Sequence, residues 1–410
     1  MLKILLDHMP LEDDIPALAA LHQKGRLAFK ALPDKKTEAY KYTDIQGALT
    51  VAMLERAKKT CIHADDGMCH CHAHEKSLPF EAYEFHFCNG CLHKHFHFIE
   101  GVEVMSLRDA VKEHEASRYI NKFDLENYAF AALNTAYADE GLFIKISQNI
   151  DRPIVLFYHH DTNLMSHIRN IIVLEKGAKA EVVEIYQGDE AAYFHNIVNE
   201  IFISKDALLR HYKLQNEGKS AVHVALSNVQ VKEGGVYESF CLQKGANAAR
   251  NETHVFLKEQ NARALVNAAY FGTKKQLIDT TTDIEHLSPL TNSNQIVRGV
   301  VSDKAHGVFQ GKIHIFPHAV QTEGYQIHKA LMLSDDALLD VKPALEIFAD
   351  DVKCSHGSTC GDLNEDELFY LRSRGIAEDE ARQILIKAFL CAAFDDIENQ
   401  DIKNLFDALK

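Results

Sequence analysis

The sequence lacks both a long apolar run and an export signal. No apolar stretch approaches the roughly 20 residues needed to span a bilayer. Near the N-terminus only six residues separate Lys3 from Pro10, and Asp7 and His8 among them are polar, so this segment is too short for a signal-peptide core. We therefore expect a cytoplasmic protein with no membrane partner.

Positive charge is scarce relative to negative charge. The chain has 44 lysine and arginine residues against 59 aspartate and glutamate residues, and its formal net charge is −15. Nucleic acids and anionic membranes carry charge of the same sign, so we expect neither as a main partner. A solvated, soluble surface accounts for the excess of negative charge.

Cysteine and histidine are concentrated in one part of the chain. Five of the nine cysteines lie between Cys61 and Cys91, and eight of the 24 histidines lie between His63 and His97. In a reducing cytosol cysteines stay as thiols, so a cluster of them indicates metal or redox chemistry rather than disulfides. Residues 61–97 are therefore a candidate metal-binding segment.

The spacing of apolar residues divides the chain into three regions. Residues 16–29 and 43–59 have helical spacing, with Pro33 and a polar loop between them. Short β-branched runs follow one another from Leu142 to Phe316, and helical spacing returns after Asn364. Asn364 suits the N-cap of the first C-terminal helix, and Gly375 suits its end. Strands this short and frequent indicate an all-β unit, and a sandwich, a barrel and a β-helix all fit them. We predict a mostly helical N-terminal domain, a β domain and a helical C-terminal domain at residues 1–130, 131–350 and 351–410.

A small group of potential ligands lies near the C-terminus. Cys354, His356 and Cys360 fall within seven residues. Side chains two positions apart on a strand lie on the same face, so Cys354 and His356 can together bind zinc, iron or copper. The alternative is a buried cysteine beside a hydrogen-bonded core histidine.

The Cys/His-rich segment contains a strong turn signal. Asn89-Gly90 between two alternating runs predicts a β-hairpin with a type I′ turn. The turn would oppose Cys88 to Cys91 on one face, with their Cβ atoms about 4.5–5.5 Å apart. It would also pair Phe87 with Leu92, His86 with His93 and Glu84 with His95, and it would place Phe85, Phe87, Leu92 and Phe96 on the opposite face.

This hairpin predicts a metal site. We expect one Zn²⁺, in preference to Fe²⁺, bound by Cys69, Cys71, Cys88 and Cys91, with His86 and His93 as reserve ligands. A closed four-cysteine site is structural rather than catalytic and would stabilise an otherwise marginal two-stranded hairpin. The alternative is a solvated, histidine-rich hairpin that binds metal only adventitiously.

Several motifs along the chain match one known family. The most specific is LEIFADDVKCSHGST at 345–359 followed by LFYLRSRGI at 368–376. EAYKYT at 38–43 is similar to that family's E-x-W-K-Y-T, with Tyr40 in place of tryptophan. Weaker matches to core-strand motifs are FQGKI at 309–313 and QTEGYQ at 321–326. By these motifs the chain resembles the SufB/SufD (SufBD) family of iron–sulfur cluster assembly scaffolds.

Within the family, the SufD branch fits better than the longer SufB. Chain length, the YKYT element at 40–43 and the Cys354-Ser-His356 element favour it. Cys360 departs from the family, which usually has an aliphatic residue there. The family does not generally carry the cysteines and histidines of the 61–97 segment.

The resemblance implies a right-handed parallel β-helix core flanked by helical N-terminal and C-terminal domains. It implies a scaffold and not an enzyme, working with a SufB-like subunit and with a SufC-like ABC ATPase that docks on the C-terminal helices. The chain itself has no G-x-x-x-x-G-K-[ST] loop to cradle ATP phosphates. Cys354 and His356 match positions that face SufB, where a transient iron–sulfur cluster or iron is held.

Two other functions and one other assembly stay open. Parallel β-helices include polysaccharide lyases and hydrolases, although this sequence shows neither an export signal nor an obvious cluster of carboxylates on strands. A metal store or metallochaperone built on residues 61–97 is the second alternative. A homodimer is the alternative to a mixed complex.

Overall fold

The computed structural model describes residues 2–10, 13–54, 78–93, 98–122, 128–138 and 140–408. Within them the chain forms eight α-helices, three short 3-10 helices and nineteen β-strands. The α-helices are α1 (Leu2–His8), α2 (Pro16–Ala28), α3 (Ile45–Ala48), α4 (Leu107–Lys112), α5 (Ala129–Tyr137), α6 (Glu365–Ser373), α7 (Glu378–Cys391) and α8 (Gln400–Ala408). The 3-10 helices are Glu38–Tyr40, Val51–Leu54 and Ala116–Arg118.

The strands occupy most of the chain between the helical ends. They are β1 (Tyr83–Cys88), β2 (Cys91–Leu92), β3 (Val102–Ser106), β4 (Leu142–Ile146), β5 (Ile154–His160), β6 (Met165–Leu174), β7 (Lys179–Gly188), β8 (Phe194–Ile203), β9 (Leu208–Glu217), β10 (Val222–Val231), β11 (Val236–Gly245), β12 (Ala248–Leu257), β13 (Arg263–Gly272), β14 (Leu277–His286), β15 (Asn292–Val301), β16 (His306–Ile315), β17 (Thr322–Met332), β18 (Leu338–Ile347) and β19 (Val352–Gly361).

From β4 onward the strands build a parallel β-solenoid of about eight turns, which confirms the β-helix prediction. Consecutive strands alternate between a ten-stranded and a nine-stranded sheet, and each pairs in parallel with the strand two positions along. The sheets face each other, but every connection crosses between them, so the arrangement is a solenoid and not a sandwich. Register partners Phe194, Val222, Ala248 and Leu277 lie on successive coils, so these coils take 26 to 29 residues.

The N-terminal region covers the outer face of the nine-stranded sheet. Strands β6, β8 and β10 are buried along almost their whole length because the solenoid interior covers one face and the N-terminal region the other. Asn134 of α5 donates hydrogen bonds to two strand carbonyls, those of Ile168 at 2.9 Å and Asn196 at 3.0 Å. This contact fixes α5 across neighbouring coils.

The C-terminal helices cover part of the outer face of the ten-stranded sheet. Phe394 and Phe406 are buried there, and the ring of Phe406 packs edge-on to that of Tyr212 of β9 at 6.2 Å. Helix α6 begins as predicted, because the Asn364 side chain accepts hydrogen bonds from two backbone amides of the first turn. Gly375 follows the helix with a φ of +89°, a left-handed conformation that glycine adopts readily.

Candidate functional site

The two ends of the solenoid are built differently. The N-terminal end finishes in the short strands β2 and β3, which pair antiparallel with β1 and β4. At the C-terminal end β19 and β18 are the last strands of their sheets, and no strand of the described residues pairs with their outer edges. The last coil therefore leaves two ten-residue strand edges and the solenoid interior uncovered. We call this end the open mouth and define it by β18 and β19.

Cys354 and His356 lie at this open mouth. On β17 the buried, inward positions include Gln326 and His328, and His328 stacks on Phe309 of the opposite sheet at 4.8 Å. Their partners on β19 are His356 and Ser358, which therefore also face inward. The same alternation turns Cys354 and Cys360 inward. The four register pairs are Gly324–Cys354, Gln326–His356, His328–Ser358 and Ala330–Cys360. Because no coil formed by the described residues covers them, His356 and Cys360 are exposed and Cys354 is half-buried.

The opposite side of the mouth is apolar. Phe309 points inward from β16, and its partner on β18 is Val341. The same alternation turns inward a set of side chains without charge, namely Leu339, Val341, Pro343, Leu345 and Ile347. Burial raises the pKa of the thiols of Cys354 and Cys360, so both are protonated at neutral pH until a metal or a cation binds. The mouth thus brings thiol and imidazole groups next to an uncovered apolar surface.

A second exposed apolar surface lies on the C-terminal helices. Asp366, Glu367, Tyr370, Leu371, Ile384 and Leu385 line a groove of about 380 Å³ between α6 and α7. Tyr370 and Ile384, which line it, are 56% and 41% exposed. Exposed apolar surface of this kind marks partner sites.

The predicted Asn89-Gly90 hairpin is present. Asn89 and Gly90 have φ of +50° and +79°, as a type I′ turn requires, and Cys88 opposes Cys91. The pairing of Phe87 with Leu92 is also observed. The backbone N–H of His93 donates to the carbonyl of His86 at 2.9 Å, so the register continues one residue further.

One expectation about this hairpin is wrong. Strand β1 pairs in parallel with β5 and belongs to the ten-stranded sheet, so the hairpin is not an isolated two-stranded unit that needs a metal to persist. Phe85 and Phe87 reach the solenoid core, while His95 and Phe96 lie outside the described residues. Of the six predicted metal ligands, Cys69 and Cys71 lie outside the described residues, while His86 lies 3.1 Å from a Glu84 carboxylate oxygen and stacks on Phe157.

The solenoid interior contains ionisable groups that the sequence analysis missed. Glu184 of β7 contacts the His211 imidazole at 3.1 Å and the Lys213 ammonium at 3.6 Å, all fully or nearly fully buried. Burial by itself raises the pKa of Glu184, but Lys213 and His211 outweigh it and lower that pKa to about 2. The available signal was the alternation along the strands, because Glu184 lies two residues from the core residues Val182 and Tyr186.

Comparison with known proteins identifies the family. The family model described as "SUF system FeS cluster assembly, SufBD core domain" matches residues 157–389, and the "SufBD protein N-terminal region" matches residues 12–156. The chain belongs to the SufBD family. It is similar to the iron–sulfur cluster assembly protein SufD of Escherichia coli, with 28% identity over 91% of this chain and 87% of that protein. It is also 30% identical to a SufBD family protein of Synechocystis over 70% of this chain and 67% of the relative.

The two family models together cover the open mouth, the helix groove and the hairpin. The match to the core domain includes the open mouth and the groove between α6 and α7, while the Asn89-Gly90 hairpin lies in the matched N-terminal region. Membership and similarity to SufD support a role in iron–sulfur cluster assembly, and the family is one of assembly subunits rather than of known catalysts. None of the described helices is long and apolar enough to cross a membrane.

Proposed function

We propose that this chain is a non-catalytic scaffold subunit of a SUF complex and that its open mouth supports iron–sulfur cluster assembly against a SufB-like subunit. The observation that carries the proposal is the position of Cys354 and His356, on the inward side of the last coil with no further coil of the described residues beyond them. The nascent cluster or iron is cargo at this interface and not a resident cofactor.

The strand edges at the mouth favour a partner that is itself a solenoid. Among the described residues, no strand pairs with the outer edges of β18 and β19, and such edges are templates for strand addition. Leu338, the first residue of β18, and Phe348, which follows its last residue, are 57% and 61% exposed and add apolar area. A SufB-like subunit that presents its own last coil would satisfy both surfaces. A second copy of this chain is the competing occupant.

Ligand chemistry explains why thiol and imidazole groups suit this interface. Thiolate and imidazole are ligands that iron accepts, and iron–sulfur clusters are held by thiolates with histidine as an occasional replacement. One strand of this chain supplies Cys354 and His356, and the remaining ligands of a cluster would come from the partner. We propose that His356 acts on the cargo, because its side chain is exposed and, within the described residues, belongs to none of the buried clusters.

The test of the mouth is His356→Ala in a strain that co-expresses SufB-like and SufC-like subunits. We expect an unchanged melting temperature and unchanged recovery of both partners, with less iron and sulfide per complex. Ser358→Ala is the matched control, because Ser358 is also exposed and faces inward two residues along β19. Unfolding of His356→Ala, or a cluster yield equal to that of the control, contradicts the proposal.

The groove between α6 and α7 is the proposed docking site for the SufC-like ATPase. Deletion of residues 362–410 should abolish recovery of the ATPase, but it also uncovers apolar strands of the ten-stranded sheet. The double substitution Tyr370→Asp and Ile384→Asp is a sharper test, because both side chains line the groove and are exposed, at 56% and 41%. We expect loss of the ATPase with the SufB-like subunit retained.

Gln383→Ala is the control, because Gln383 is exposed on α7 but does not line the groove. Equal ATPase recovery from both proteins contradicts the proposal.

A metal-binding role of the 61–97 segment is the second candidate function, favoured by the opposition of Cys88 and Cys91. We propose that these thiols bind one Zn²⁺ together with Cys69 and Cys71. Serine at both positions 88 and 91 should release about one metal ion per chain. Cys391→Ser, which changes a half-buried cysteine of α7, is the control. Metal-free wild-type protein, purified under reducing conditions, rules this site out.

A further inference from the structure

Two histidines and a glutamate meet inside the solenoid, away from the open mouth. His195 is the second residue of β8 and His223 the second residue of β10, and the two are register partners on neighbouring coils. Glu217 is the last residue of β9, just before the chain crosses to β10. The three side chains are fully buried.

The geometry of the three groups suits a single ion. One carboxylate oxygen of Glu217 lies 3.3 Å from Nδ1 of His195, and the other lies 2.8 Å from Nδ1 of His223. One ligand atom from each residue can be chosen so that all three lie within 4.8 Å of one another. Ligand atoms bound at 2.0–2.2 Å around a tetrahedral ion stand roughly 3.4 Å apart. Small side-chain movements would therefore bring all three onto one ion.

Three ring nitrogens of this histidine cluster lack a hydrogen-bond partner within the described residues. They are Nε2 of His195, Nε2 of His223 and Nδ1 of His160. The ring centroid of His160 lies 4.4 Å from that of His195. A buried polar atom without a partner is costly, so most such atoms in folded proteins are paired. Unpartnered imidazole nitrogens in one buried cluster therefore favour ligand binding there.

We propose that His195, Glu217 and His223 bind a resident divalent transition-metal ion, Zn²⁺ or Fe²⁺, with His160 positioned to supply a fourth ligand. Imidazole and carboxylate together bind these ions, whereas Mg²⁺ and Ca²⁺ prefer oxygen-only sites. The site differs from the hairpin and the open mouth because it contains no thiol. The ion would tie β8, β9 and β10 together across the interior and add its binding energy to folding.

The buried position determines how the site should be tested. An ion enclosed by the folded solenoid enters during folding and exchanges slowly, so the full-length chain is expressed with added Zn²⁺ or, anaerobically, with added Fe²⁺. Cys88→Ser and Cys91→Ser are included to reduce binding by the hairpin. After dialysis against EDTA, we expect about one ion per chain. The X-ray absorption spectrum of that ion should show only nitrogen and oxygen ligands. The arm that retains the ion identifies the metal.

Variants assign the ion to these residues. His195→Gln with His223→Gln should lose it, whereas His286→Gln, which changes another buried histidine of the solenoid, should retain it. Glu217→Gln should lower metal affinity at least tenfold. Because this substitution is nearly isosteric, it tests whether these residues bind the ion even if the double variant does not fold. The proposal is overturned if no ion with nitrogen and oxygen ligands survives dialysis, or if Glu217→Gln retains it as well as His286→Gln does.

Discussion

At the scale of single residues, the EAYKYT motif joins the N-terminal region to the solenoid. The Tyr40 ring lies against the Arg250 guanidinium, 4.2 Å from its carbon, and the Tyr40 hydroxyl donates to Glu252 at 3.2 Å. Thr43 donates to the Asp279 carboxylate, which also pairs with Arg250. Tyrosine thus keeps the cation–π contact that a tryptophan could make and adds a hydrogen bond through its hydroxyl.

Arg250→Met should strongly destabilise the protein. It would leave Glu252 and Asp279 buried without their cation, and breaking a buried pair in this way costs roughly 3–5 kcal/mol. Lys342→Met is the control, because it removes only a surface pair with Glu38, which is worth at most about 1 kcal/mol. The measurement is the urea midpoint by circular dichroism. Equal shifts for the two variants would show that the buried cluster does not hold the N-terminal region.

The buried histidines make stability depend on pH. Burial lowers the pKa of His286 to about 3 and that of His328 to about 4. In the unfolded chain both titrate near 6.5, so below that pH the unfolded state binds more protons than the folded state. These two histidines therefore do not lower the free energy of unfolding above pH 6.5, and they lower it increasingly as the pH drops below 6.5.

His286→Gln should reduce this loss. Glutamine does not titrate, and it retains a donor and an acceptor for the hydroxyls of Thr291 and Ser293, which His286 contacts at 2.8 and 2.9 Å. Between pH 6.5 and 5.0 the variant should lose less stability than the wild type, by roughly 1.4 kcal/mol per pH unit. Urea midpoints at pH 7.5, 6.5 and 5.0 provide the comparison. Parallel curves for the two proteins would contradict the assignment.

At the scale of elements, the Asn89-Gly90 turn is both a local signal and a packing contact. A Cβ on Gly90 would lie 2.6 Å from Cβ of Ser166, in addition to the strain of its positive φ. The hairpin therefore packs closely against the start of β6.

Gly90→Ala and Gly177→Ala separate these two effects. Gly177 has a similar φ of +73°, but an added Cβ would meet nothing within 4 Å. Gly177→Ala should cost about 1–2 kcal/mol from backbone strain alone. Gly90→Ala should cost a further 1–3 kcal/mol or so from overpacking. Equal losses of melting temperature would mean that Ser166 moves aside without cost.

At the scale of the whole molecule, the protection of backbone amides from hydrogen exchange should differ along the length of the solenoid. Each coil is stabilised by its neighbours, and the last coil has a neighbour on one side only within the described residues. Amides of β18 and β19 should therefore exchange hydrogen faster than those of β10 and β12 in the isolated protein. Addition of a SufB-like subunit should protect β18 and β19 and leave β10 unchanged.

Mass spectrometry of hydrogen exchange at several protein concentrations checks this prediction. Protection of β18 and β19 that rises with the concentration of this chain alone indicates a homodimer at the mouth. Protection equal to that of β10 at all concentrations contradicts an open mouth.

The sequence by itself determined the features that depend on neighbouring residues. The Asn89-Gly90 turn, the Asn364 cap and the Gly375 helix end follow from the conformations that these residue types prefer. The β-helix was predicted from the family motifs, by resemblance. Strand length and spacing predicted only an all-β unit, because the coils repeat in geometry while their residues do not repeat in sequence.

Only the tertiary structure decided which distant residues meet. Strand β1 of the hairpin joins the ten-stranded sheet because it pairs with the edge of β5, and no pattern of neighbouring residues predicts that pairing. His356 is exposed and Cys354 is half-buried at inward positions because, in the part of the chain that the structure describes, the solenoid ends at β19. His195, Glu217 and His223 converge because coil lengths set the register between strands, and a side chain's inward or outward direction depends on that register.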